Sequence, residues 1–125
     1  PMRLVGFLVL AAATGCNSIV GEWEGECAVQ VGNDLYIYEV EMDIESVEKG
    51  DINGTGTLYD QDNQRSQGTL DGTQEGKDLD FDIKFEDGVL QNRNFEIDAE
   101  FEGREMNGDC QLGGQHGLLE LERVG

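Results

Sequence analysis

The sequence predicts an all-β fold: an eight-stranded antiparallel up-and-down (meander) barrel, after an N-terminal signal peptide. Three observations carry this. Apolar and charged residues alternate with period two in stretch after stretch. Turn-forming clusters separate these stretches at short, even intervals, in a chain with 18 Gly and one Pro. No apolar spacing of helical length lies between them, so consecutive strands should pair as a meander. One oily face and one charged face per strand suit a sheet closed on itself, which leaves no free edge.

Residues 1–15 fall outside this pattern. Met2 and Arg3 form a short basic start, and residues 4–13 (LVGFLVLAAA) are an apolar run of ten. That run matches a signal-peptide core, whereas a membrane span needs about 20 apolar residues. Ala13-Thr14-Gly15-Cys16 resembles the lipobox of bacterial lipoproteins. The resemblance implies cleavage before Cys16 and acylation of Cys16, palmitate being the expected type of chain. Residues 16–18 are then a short lipidated tether and residues 19–125 a single barrel domain. Asn17, in place of an Asp, leans towards the outer membrane. The expected location is therefore the bacterial cell envelope, with the barrel about 10–15 Å from the membrane surface. More than one acyl chain is needed for stable attachment, at about 0.8 kcal/mol per buried CH₂.

The first strand is expected within residues 19–31, with Trp23, Cys27, Val29 and Val31 on one face. Residues 35–48 form the clearest strand: Tyr36, Tyr38, Val40, Met42 and Ile44 alternate with Glu39, Glu41, Asp43 and Glu45. Residues 52–59 and 66–73 are glycine-rich strands three and four. Residues 78–86 alternate again, with Leu79, Phe81, Ile83 and Phe85 on one side. Phe95, Ile97, Ala99 and Phe101 mark the sixth strand. Met106, Cys110 and Leu112 mark the seventh, and Leu119 and Leu121 the eighth. Turns are expected at 32–34, 49–51, 75–77, 87–88, 103–104 and 113–114.

Three Cys are an awkward number for an exported chain. Lipidation of Cys16 leaves Cys27 and Cys110 as one expected disulfide. In a closed meander these two lie two strands apart, about 9–10 Å around the wall. A disulfide needs Cα atoms about 4.4–6.8 Å apart. Either the interior is pinched there, or the first and seventh strands are neighbours, or the bond is absent.

Gly21-Glu22-Trp23 opens the first strand and Arg123 ends the last. This set resembles the structural signature of the calycins (lipocalins, avidins and fatty-acid-binding proteins). The resemblance implies that Gly21, Trp23 and Arg123 close one barrel end, with the guanidinium over the indole. It also implies room for a small ligand.

Inward glycines, Gly54 and Gly56 in strand three and Gly68 and Gly72 in strand four, thin one wall. The rest carries large side chains. Two readings follow. In the first, a small hydrophobic ligand enters the barrel, lined by Tyr36, Tyr38, Met42, Gly54, Gly56, Leu70, Phe81, Phe85, Phe95 and Phe101. Alternatively those side chains fill the gap, and the protein acts through its acidic exterior.

The exterior is acidic: 27 Asp+Glu against 8 Lys+Arg, a formal net charge of −19. Nucleic acid is excluded as a partner, because phosphates need clustered bases. Two readings of the acidity follow: solubility in a salty habitat, where counterions screen the self-repulsion, or a cationic protein or divalent-cation layer met at the envelope. The chain should be a monomer. No nucleophile elbow, phosphate-binding loop or zinc motif occurs. His116 sits in a glycine-rich turn. Asp60, Asp62, Asn63 and Gln64 begin like a calcium loop but fail at Arg65 and Asp71, so a solvated turn is expected. No enzyme, cofactor or metal site is expected.

Overall fold

The computed structural model describes residues 18–125. The signal peptide, the lipobox, Cys16 and Asn17 lie outside the described residues. Eight strands follow in order: β1 (Gly21–Val31), β2 (Asp34–Glu48), β3 (Asp51–Tyr59), β4 (Arg65–Glu75), β5 (Asp78–Phe85), β6 (Asn94–Glu102), β7 (Glu105–Leu112) and β8 (Gln115–Arg123). Each pairs antiparallel with the next, and β8 pairs back onto β1, closing the barrel. The period-two pattern dictates this, because inward residues become buried and outward ones stay wet.

Short turns set the registers. Lys49 and Gly50 both adopt positive φ (53° and 86°) between β2 and β3. That is the twist a two-residue hairpin loop needs. β2 is the longest strand and carries a bulge: its register with β3 shifts between Ile44 and Ser46. The extra residue returns Val47 to the side of its partner Ile52, which is buried.

One core fills the barrel. Trp23, Phe81, Phe85, Phe95, Ile44, Ile83, Ile97 and Leu70 all lie in it with almost no exposure, and its members among the described residues run from Ile19 to Leu121. β1 begins later than the alternation predicts. Ile19 is buried but not in a strand, because Gly21 turns the backbone with φ 127°. The segment before it folds under the barrel end instead of extending β1.

Cys27 and Cys110 are bonded, with Cα atoms 6.3 Å apart. β8 lies between them: Cys27 faces Leu119, and Cys110 faces Gly117. An evenly curved wall would hold them about 9–10 Å apart, so the wall folds sharply at β8. Gly117 permits this. A Cβ there would stand 2.4 Å from the Ala28 carbonyl oxygen, inside the neighbouring backbone. Of the three arrangements open at the sequence level, the pinched interior is the one adopted.

Candidate functional site

The glycine wall is where an internal site would have to form. β5 occupies it. Ile83 reaches across β4 to lie over Gly56 of β3, and a Cβ at Gly56 would meet its Cδ1 at 2.3 Å. Phe81 crowds Gly72 in the same way, with its own Cβ 2.2 Å from that position. Gly54 approaches the backbone of β2 at Asp43 and Ile44. The space released by absent side chains is thus taken by larger ones or by close strand approach. Met42, Leu70, Phe81, Phe85, Phe95 and Phe101 share this single core. Phe85 and Phe95 meet as tilted rings with centroids 6.5 Å apart, in the range favoured by aromatic pairs.

The two tyrosines do not join them equally. Tyr38 is half-buried and packs against the core at the end opposite Trp23. Burial pushes its hydroxyl pKa up, helped by the charge of Asp60 and by Tyr36, and opposed by Arg93. Tyr36, one inward position further out, is 37% exposed because β2 there runs beyond the packed interior.

Both ends are closed. At one, the Trp23 indole N–H donates to the Ile19 carbonyl at 2.9 Å. Arg123 places its Cζ 4.6 Å from the Trp23 ring centroid. Its guanidinium donates to the Val20 carbonyl at 2.9 Å and to the Ser18 carbonyl. Gly21 leaves room beside it: a Cβ there would lie 3.4 Å from Arg123 Nη1. At the other end, residues 86–93 fold over the mouth and insert Leu90 against the core. Ser66, fully buried, accepts a hydrogen bond from the Leu90 amide at 3.1 Å, and Asp87 accepts one from the Gln67 amide at 2.9 Å. The turn expected at 87–88 is thus part of a longer, mouth-closing loop, whose sign in the sequence is the apolar pair Val89-Leu90 in a polar segment.

The outer wall is the remaining candidate. Cross-strand registers align its carboxylates in rows. Glu105, Glu122, Glu24 and Glu41 stand opposite one another across β7, β8, β1 and β2. Glu120, Glu26 and Glu39 form the next row, and together the two rows line an open hollow. Asp80, Asp98 and Asp109 make another row across β5, β6 and β7. His116 is exposed beside the latter. Among the described residues there is one ion pair, Lys77–Glu102 at 3.7 Å, so these rows are not neutralised by neighbouring Lys or Arg. Among the described residues, no three His, Cys, Asp or Glu side chains are placed to hold a metal ion together. The 60–64 loop is an exposed turn, in which Asp60 Oδ1 accepts the amides of Asp62 and Gln64 at 2.9 Å.

No family model, curated protein or solved structure matches the chain. The closed eight-stranded antiparallel barrel is consistent with the architecture that the calycin resemblance implied.

Proposed function

We propose that this chain is a non-enzymatic binding module of the bacterial cell envelope, held to a membrane by lipid on Cys16, that acts through its acidic outer wall. The observation that carries the reading is the division of labour between the faces. The glycine gap is packed by Ile83 and Phe81, while unpaired carboxylate rows line the exterior. Aligned like charges on paired strands destabilise a sheet. A sheet that keeps them is best explained by something outside that neutralises them, a cationic protein surface being the natural counterpart.

The test is heteronuclear NMR of the full chain titrated with oligolysine at low and high salt. Shifts confined to outward residues of β7, β8, β1 and β2, and lost at high salt, support the reading. An unchanged spectrum at low salt refutes it. The anchor is tested separately by fractionation and mass spectrometry. The wild type should partition with membranes and carry acyl chains on Cys16, and Cys16→Ala should do neither.

The rival is a small hydrophobic ligand in the barrel. It requires Leu90 and the 86–93 loop to leave the mouth and Ile83 to leave Gly56. Native mass spectrometry showing a retained apolar molecule would favour it.

A further inference from the structure

The outer wall is not uniformly acidic. Leu118, Ala28 and Ile37 stand opposite one another across β8, β1 and β2, all facing outward. Leu118 is 65% exposed and Ile37 40%. Leu35, the next outward residue of β2, is 59% exposed. Single exposed aliphatics are ordinary, but a cross-strand row of them forms a continuous surface. The same row continues round the barrel as Asp109, Asp98 and Asp80. One step along the strands lies the Glu120, Glu26 and Glu39 row. The wall thus carries an aliphatic strip bordered by carboxylates on two sides.

We propose that this strip docks an extended basic segment of another protein, in which aliphatic side chains sit beside a run of Lys or Arg. The inference deepens the acidic-wall reading and rests on it: carboxylates supply attraction, and the strip supplies register and selectivity. Charge complementarity selects the occupant. A second copy would bring its own excess of acids, 27 against 8 bases, onto this border. An anionic membrane surface or nucleic acid is repelled in the same way. Length fits as well. Asp109 to Ile37 spans three strand spacings, about 14 Å at the backbone, and about seven extended residues, roughly 24 Å, cover the longer path outside the wall.

The experiment uses the full chain in non-ionic detergent, with detergent alone as the blank. Fluorescence anisotropy follows three heptapeptides bearing a neutral dye: Lys-Lys-Lys-Leu-Ala-Leu-Lys, its serine counterpart Lys-Lys-Lys-Ser-Ala-Ser-Lys, and the acidic Glu-Glu-Glu-Leu-Ala-Leu-Glu. Salt is kept at about 10 mM, where charges reach about 30 Å. The leucine peptide is expected to bind roughly fivefold or more tightly than the serine peptide, and the acidic one not at all. Leu118→Ser with Ile37→Ser should reduce its affinity to that of the serine peptide, with both peptides still bound. Ala28→Gln, a second uncharged variant at the centre of the strip, should do the same and guards against a folding defect in the first. Equal binding of the two basic peptides overturns the strip while leaving the acidic wall standing. If neither binds, both fall. Binding of the acidic peptide, or self-association lost in Leu118→Ser, also overturns the proposal.

Discussion

Arg123 holds the N-terminal segment under the barrel by two backbone carbonyls and one indole face. A planar guanidinium can span both carbonyls while stacking, and an ammonium cannot. Arg123→Ala should therefore lower stability by about 1–3 kcal/mol in urea denaturation, and Arg123→Lys should recover less than half of it. The pairing of Trp23 with Arg123 was legible from the sequence through a resemblance and a matching parity. What the sequence did not hold is the acceptor set, because Ser18 and Val20 meet Arg123 only through their backbone carbonyls, which any residue supplies. Tyr38 gives a second prediction at this scale. Its raised pKa means that the folded state holds the phenolic proton more tightly than the unfolded chain does. Its contribution is whole below about pH 10 and is lost as pH rises through the folded value. Denaturation midpoints should fall above about pH 10 in the wild type, and less steeply in Tyr38→Phe.

At the scale of elements, all eight strands were readable, the first five with bounds within two residues of those observed and the last three through their inward residues. The deviations have local causes. Val47 is out of phase with Tyr36 to Ile44, and the bulge after Ile44 resolves that conflict by inserting one residue. The period alone contained the anomaly, but not which residue is extruded. The 86–93 loop was hidden for another reason: its closure depends on the buried Ser66 hydroxyl of a distant strand. Cys27 and Cys110 were legible as a candidate pair, with an absent bond among the outcomes left open, whereas the fold at β8 that permits the bond required knowing how Gly117 approaches Ala28. With 83 residues separating the cysteines, reduction should cost about 4–5 kcal/mol on loop-closure entropy alone. The check is denaturation with and without reductant. A midpoint indifferent to reductant would mean that the fold at β8 is held without the bond.

For the whole molecule, the net charge of −19 is spread in rows whose members lie about 5 Å apart across strands. Lys77–Glu102 is exposed and contributes little against them. At about 1 M salt the screening length is about 3 Å, shorter than the strand spacing. The melting temperature should therefore rise between about 0.01 M and 1 M NaCl. Glu24→Gln with Glu122→Gln should raise it at low salt and flatten the dependence. Calorimetry reads both. A wild-type melting temperature indifferent to salt would remove repulsion as the cost borne by this wall. The candidate site was legible in part: charge and parity placed the carboxylates outside. Their alignment into rows, and the interruption at Leu118, Ala28 and Ile37, depend on register across four hairpins and the β1–β8 closure.

The account rests on a barrel whose interior is packed, leaving the exterior to act. Diffraction from crystals under xenon pressure tests this most directly, because xenon enters dry apolar voids. The wild type should show no xenon among Ile83, Phe85 and Phe95, while Ile83→Ala, which uncovers Gly56, should bind xenon at that position. A xenon atom inside the wild-type barrel would contradict the account and return the interior to the role of a ligand site.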